Sequence, residues 1–213
     1  MKYTHIVWDF NGTLMDDVDI AVASVNDMLE KRDMPKTDKN TYLTQITSPI
    51  IEYYRKIFDL EKVPFEVITE EFLEGYMKRL GLAHLTKGAH DALDMFCSLG
   101  IKQCVISSFE QGRLEGLIEK MGISRYFDFV SGADNIRAEG KEQRGLGWLE
   151  KSGADPEKVL VIGDLLHDSE LAFIMGADCV LIASGHQGKP ELLTSGRRVY
   201  DDLEQMLEDL KHD

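Results

Sequence analysis

From about residue 85 onward the chain repeats one unit: an amphipathic helical run closed by a turn, then a short apolar run. "AHDALDMFCSLG" precedes "IKQCVISS", "GRLEGLIEKMG" precedes "YFDFVSG", "EQRGLGWLEKSG" precedes "KVLVIGD", "DSELAFIMG" precedes "CVLIAS", and "DLEQMLEDL" ends the series. Strands alternating with helices of ten to fifteen residues predict a parallel sheet covered on both faces. Ile101 to Ile106 and Val159 to Ile162 are almost continuously apolar, as inner strands of such a sheet must be. Gly100, Gly122, Gly153 and Gly176 stand where helices should end, in the role a left-handed closing residue plays. One more β-rich run, "YTHIVWDF", opens the chain and meets the turn pair Asn11-Gly12. Between these parts the period changes to that of a helix, with Ile20, Val22, Val25, Met28 and Leu29 first, then "IIEYYRKIF" and "VITEEFLEGYMKRL". Pro35, Pro49 and Pro64 fall near the breaks. The expected fold is α/β, a doubly wound parallel sheet from residues 1–15 and 85–213, with an all-helical insertion, 16–84, directly after the first strand.

Charge narrows the partners. The 24 Lys and Arg against 38 Asp and Glu give a formal net charge of −14, a field that repels nucleic acid and acidic membrane surfaces. A small anionic substrate remains compatible with it if a bound cation or a cluster of N–H groups reverses the field locally. No run approaches the ~18 apolar residues of a membrane span, and the first residues lack the apolar stretch of an export signal, so the expected location is the cytoplasm, as a monomer or weak homodimer. Cys97, Cys104 and Cys179 lie in apolar runs with no metal-like spacing and are expected to be buried free thiols. Without an export signal, the glycosylation-like "NGT" at Asn11 is taken as chance.

In open α/β sheets ligands bind beyond the carboxyl ends of the strands. Those positions hold Asp9 and Asn11 after the first strand, Ser107 and Ser108 after "CVI", and Gly163-Asp164 with Asp168 after "VLVI". Hard oxygen donors with open positions suit Mg²⁺, and the shortage of His and Cys argues against zinc. A carboxylate beside Mg²⁺ and a phosphate is also a competent nucleophile, because the metal relieves the repulsion between two anions. Lys141, which opens a helical run, can add a second positive charge. Taken singly, the Asp residues and Ser107 equally suit helix caps or turns, and Lys141 a solvated surface position. Jointly these readings fail, because all the residues converge on one edge.

This pattern resembles the haloacid dehalogenase superfamily of aspartate-nucleophile phosphohydrolases, nearly end to end, in its branch similar to phosphoglycolate phosphatases. "VWDFNGTLMDD" looks like the first motif, "CVISS" the second, Lys141 the third and "VIGDLLHD" the fourth. The resemblance implies a Rossmann-like core and a helical cap that selects substrates. It implies Asp9 as nucleophile and Mg²⁺ ligand, with Ser107 and Lys141 on the phosphoryl oxygens. Asp164 is implied as the second metal carboxylate, with Asp168 supporting that site and the Asn11 carbonyl oxygen as a further ligand. Gly12 and Ser108 are expected to touch the substrate, a small phosphorylated metabolite.

The departure is Asn11, where phosphatases of this family carry a second Asp that passes protons to the leaving group and from water. An amide keeps the shape and hydrogen bonds but moves no proton. Three readings stay open: a working phosphatase with reduced acid/base help, a phosphonatase-like C–P hydrolase using a cap lysine (Lys31, Lys36, Lys39 or Lys56) as Schiff base, and a phospholigand-binding protein with little turnover. Asn-Gly is also prone to deamidation, which would convert Asn11 to Asp. "QITSPIIEYY" (Gln45 to Tyr54) is read either as a loop dipping toward the site or as an ordinary helix start, and Arg55 and Lys56 either as contacts for an anionic substrate or as solvent-facing. His167 has no assigned role, and the loop Ser184 to Glu191 is expected at the same edge, with His186 a peripheral contact.

Overall fold

The computed structural model describes residues 1–134 and 140–211. In chain order the elements are β1 (His5–Trp8), β2 (Met15–Asp16), α1 (Val18–Glu30), α2 (Lys39–Gln45), α3 (Ile50–Ile57), α4 (Phe65–Arg79) and β3 (His84–Leu85). There follow α5 (Ala89–Ser98), β4 (Lys102–Glu110), α6 (Gln111–Lys120), β5 (Phe129–Ala133), α7 (Lys141–Ser152) and β6 (Val159–Gly163). The chain continues through α8 (Leu166–Met175), β7 (Asp178–Ile182), α9 (Lys189–Leu193), β8 (Arg198–Tyr200) and α10 (Leu203–Leu210).

Six strands form one parallel sheet in the order β5-β4-β1-β6-β7-β8. The expected doubly wound α/β fold is thus present. Because side chains alternate across a strand, each buried strand feeds two cores. Ile6 and Trp8 of β1, Leu160 and Ile162 of β6, and Val180 and Ile182 of β7 pack under α5, α6 and α10. Val7, Val161, Cys179 and Leu181 pack on the other face under α7, α8 and α9. Gly100, Gly122, Gly153 and Gly176 all have positive φ, as their places at helix ends require.

The chain winds outward from β1 in both directions, through β4 to β5 on one side and through β6 to β8 on the other. The crevice at such a reversal lies at the carboxyl end of the central strands. Trp8 pairs in register with Val105 and with Ile162, so Asp9 emerges between the ends of β4 and β6.

Helices α1 to α4 form a separate layer with its own core of Val18, Val25, Met28, Tyr42, Tyr53, Tyr54, Phe58 and Ile68. Pro49 and Pro64 stand at the N-caps of α3 and α4, where no backbone N–H is missed. The helical layer is joined to the rest by a ribbon that the sequence pattern did not reveal: β2 and β3 pair antiparallel, Met15 with Leu85 and Asp16 with His84. Two residues are too few to show a period. The short α9 and β8 also went unread, for the same reason. The three cysteines are free; Cys104 and Cys179 are buried as expected, whereas Cys97 is exposed on the outer face of α5.

Candidate active site

Asp9, Asp164 and Asp168 are buried together, with one carboxylate oxygen of each lying within 4.8 Å of the others. Lys141, the first residue of α7 and itself buried, donates to Oδ1 of Asp9 and, at 2.7 Å, to Oδ1 of Asp168. The surface reading of Lys141 therefore does not hold. Among the described residues no hydrogen-bond donor meets Oδ2 of Asp9.

The backbone of the fourth motif orients its own carboxylates. Asp168 Oδ2 accepts from the N–H groups of Asp164 (3.1 Å) and Leu165 (3.0 Å), which caps α8. Asp164 Oδ1 accepts from the Thr13 hydroxyl at 2.8 Å, and its Oδ2 from the His186 N–H at 2.6 Å. Two glycines make room: a Cβ on Gly12 (φ 77°) would lie 2.2 Å from Asp164 Oδ2, and one on Gly163 2.1 Å from the Asp168 carboxyl carbon. The Gly12 N–H donates to the Met15 carbonyl oxygen and to Asp17 Oδ1, and Gly12, expected to touch substrate, is not among the residues lining the cavity.

Three buried carboxylates against one ammonium leave excess negative charge in a place that water hardly reaches. Burial, and after it the charges of Asp168 and Asp164, push the Asp9 carboxyl well above the usual range, against the pull of Lys141. Burial likewise lifts Asp164 to about 6, with Asp168 adding to it. For Lys141 burial disfavours the ammonium, but the Asp168 and Asp9 charges outweigh that and hold it above its ordinary value. An all-oxygen donor set carrying surplus negative charge fits a hard divalent cation. The residues that could hold it are Asp9, Asp164 and the carbonyl oxygen of Asn11, with Asp168 behind them.

Ser107 is buried at the end of the regular part of β4; its hydroxyl accepts from the Phe109 N–H at 3.0 Å, and its carbonyl oxygen accepts from Arg144 of α7 at 2.9 Å. Ser107, Ser108, Asp9, Asn11 and Lys141 share one cavity of about 860 Å³ that runs from the sheet edge into the helical layer. The segment Ile46 to Ile51 lines it, which favours the dipping-loop reading of "QITSPIIEYY". Arg55 is exposed and pairs with Glu52, and exposed Lys56 donates to the Gln45 carbonyl oxygen at 3.0 Å; neither reaches the cavity. Lys31, Lys36 and Lys39 are exposed and paired with Glu71, Glu30 and Asp19 respectively. No lysine of the helical layer therefore offers an amine to this cavity, which removes the structural basis for the Schiff-base reading.

Asn11 is half-buried, and its amide donates to Asp17 Oδ2 and to the Tyr76 hydroxyl, both at 2.9 Å. The Tyr76 hydroxyl donates in turn to Asp17, and His186 Nε2 lies 3.1 Å from Asp17 Oδ1, while Tyr42 meets His186 Nδ1 at 2.9 Å. Burial opposes the Asp17 carboxylate, yet His186, Asn11 and Tyr76 together keep its pKa below the ordinary value. His186 is lifted to about 9, because the charge of Asp17 and the hydrogen bond to it, then Asp164, overcome the effect of burial. His186 is thus central and not peripheral, while His167 pairs with Glu142 Oε1 at 2.7 Å and leaves Asp168 alone. Asp17 and Tyr76 were missed in sequence. Asp17 is the last acid of the first-motif segment "VWDFNGTLMDD", with no role assigned to it, and Tyr76 reads as one apolar step of α4.

Comparison with known proteins agrees with this geometry. A phosphoglycolate phosphatase of Pseudomonas aeruginosa is 24% identical over 212 residues, covering 95% of this chain and 78% of that protein. One from Agrobacterium fabrum is 24% identical over 204 residues, covering 92% and 88%. Among solved structures, a haloacid dehalogenase-like family protein of Streptococcus pneumoniae superposes with a TM-score of 0.83 at 18% identity, over 98% of this chain and 99% of that one. CbbY of Rhodobacter sphaeroides in complex with phosphate gives 0.72 at 18% identity, over 96% of each chain. The model of the haloacid dehalogenase-like hydrolases matches residues 6–182. With Asp9, Lys141, Asp164 and Asp168 drawn together at the sheet edge, the chain belongs to the haloacid dehalogenase-like hydrolase family.

Proposed function

We propose that this phosphatase of the haloacid dehalogenase-like family releases phosphate from a phosphomonoester through an aspartyl-phosphate on Asp9. The observation that carries this reading is the single lysine bridging Asp9 and Asp168 at the end of β1, with Asp164 in the same cluster. Mg²⁺, when held by Asp9, Asp164 and the Asn11 carbonyl oxygen, supplies positive charge against which one anion can approach another. Asp9 Oδ2 attacks phosphorus, and the bond from phosphorus to the leaving alcohol breaks. Ser107 and Lys141 bind the phosphoryl oxygens and stabilise the charge that develops on them. Water then attacks the aspartyl-phosphate and frees Asp9.

Two protons need a carrier in this sequence: one to the leaving oxygen and one from the attacking water. Asn11 carries neither, and the loss of one general acid/base costs roughly 10²- to 10⁴-fold. Turnover is accordingly slow for poor leaving groups. The enclosing helical layer, residues 16–84, acts as the cap over this chemistry. The same amide, held by Asp17 and Tyr76, favours a second reading in which substrate is captured and scarcely turned over.

Phosphate release from p-nitrophenyl phosphate, measured with and without Mg²⁺ in wild type and Asp9→Asn, separates the two. Intact mass is recorded first, so that deamidated Asn11 cannot supply the activity. Mg²⁺-supported release that vanishes in Asp9→Asn is expected. Absence of release with tight binding, or a long-lived phosphorylated Asp9, would favour capture.

A further inference from the structure

The cavity tells more about the leaving group than about the phosphate. Its volume of about 860 Å³ is that of a site for a drug-sized ligand, far beyond a two-carbon phosphoester. Tyr42, Tyr53, Tyr54, Phe65, Phe72 and Tyr76 line it from the helical layer, many of them in edge, tilted or stacked contact with one another. Among the described residues that layer brings no lysine or arginine to the cavity. Lys141 is committed to the carboxylate cluster, and Arg113 of α6 has its Nε 3.7 Å from Glu110. Glu66, Glu110, Arg113 and His186 also line the wall, so the charges there are mixed, and the helical layer itself adds no cation for a second negative charge on the substrate. One polar group of this wall is left without a partner. Tyr53 is 1% exposed, and its hydroxyl has no hydrogen-bond partner among the described residues. A buried donor left unmade is costly, and an acceptor on a bound molecule would satisfy it.

We propose that the substrate is a phosphomonoester of a bulky aromatic alcohol carrying a hydrogen-bond acceptor for Tyr53, in preference to a short carboxylated phosphoester. This rests on the phosphatase reading for turnover but on the cavity alone for binding. Aromatic rings favour edge and offset contacts with the tyrosine and phenylalanine wall, and apolar burial supplies affinity that a small acid cannot gain there.

The test compares 2-naphthylmethyl phosphate, its 6-acetyl analogue and 2-phosphoglycolate, all leaving as alkyl alcohols, in wild type and Tyr53→Phe. The expected result is kcat/KM for the naphthylmethyl ester at least about tenfold above that for phosphoglycolate. The acetyl group should add severalfold in wild type and nothing in Tyr53→Phe, each enzyme being compared with its own rate on the plain naphthylmethyl ester. Calorimetric binding of naphthylmethylphosphonate against phosphonoacetate gives the same comparison without turnover. Equal or better use and binding of the carboxylated compounds would overturn the proposal. If no ester releases phosphate in an Asp9-dependent way, the phosphatase reading fails alone, and the phosphonate binding order decides the ligand class.

Discussion

The two walls of the cavity are built on opposite principles. At the sheet edge three carboxylates and a lysine are buried within hydrogen-bonding reach, and nearly every polar atom is oriented by a backbone N–H or a neighbouring side chain. Across from them the helical layer offers aromatic rings, no cation among the described residues, and a tyrosine hydroxyl with nothing to bond. The first wall spends stability on placing charge, and the second gains it by burying apolar surface. On the proposed reading, chemistry and selection are held by different forces. Where the walls meet, Asn11 and His186 of the edge touch Asp17, Tyr76 and Tyr42, and that seam is where the separation can be broken.

The largest effect is expected from Asn11→Asp. A carboxyl group at this position restores a proton carrier, and kcat for alkyl phosphates should rise by about 10²- to 10⁴-fold, with much less gain for p-nitrophenyl phosphate. The same change removes the amide donor to Asp17 Oδ2 and sets two carboxyl groups side by side. Such pairs hold a proton to higher pH, so the folded protein binds more protons than the unfolded one, and stability should fall as pH rises. Thermal melts of variant and wild type from pH 5 to 8 should therefore diverge upward in pH. An unchanged rate for alkyl phosphates would mean that protons already move by another route.

Tyr76→Phe should act across the seam more gently. Its hydroxyl donates to Asp17 and accepts from Asn11, and removing it leaves Asp17 with fewer donors in a buried place. A loss of about 1–3 kcal/mol in urea unfolding is expected, together with a KM increase of severalfold and a smaller change in kcat. If KM is unmoved while stability falls, α4 merely packs on the edge and has no part in closing over substrate.

The smallest effect is the pH response of His186. Its pKa stands raised to about 9 by Asp17, so the pair stabilises the fold fully below about 6.5, the ordinary histidine value, and the contribution fades as pH rises through 9. Melting temperatures of wild type and His186→Gln should differ most near pH 6 and converge toward pH 10. A gap that stays constant would assign His186 to packing against Tyr42 alone.

Much of the first wall could be read in the sequence, because strand ends in a parallel sheet are predictable places: Asp9 and Asp164 directly follow β1 and β6, Ser107 follows the regular pairing of β4, and Asp168 stands in the first turn of α8. Lys141 was placed by order along the chain, and its burial between two carboxylates came only with the fold. The seam could not be read. Asp17 and His186 are 169 positions apart, Asp17 and Tyr76 are 59 apart, and none stands in a pattern that local periodicity or turn chemistry would single out. Exposure of Cys97 was missed because an apolar run in a helix still turns some residues outward. The second wall is a matter of shape, which depends on how four helices lean together. Its rings looked like ordinary core residues until the cavity between them was seen.

The two-residue ribbon of Met15–Asp16 against His84–Leu85 has a consequence for descent and for engineering. Exit and return lie side by side, so the sheet experiences everything between them as a loop whose ends already meet. A folded unit with abutting termini fits such a junction without re-registering β1, and exchange at these two points would replace the helical layer while keeping the sheet.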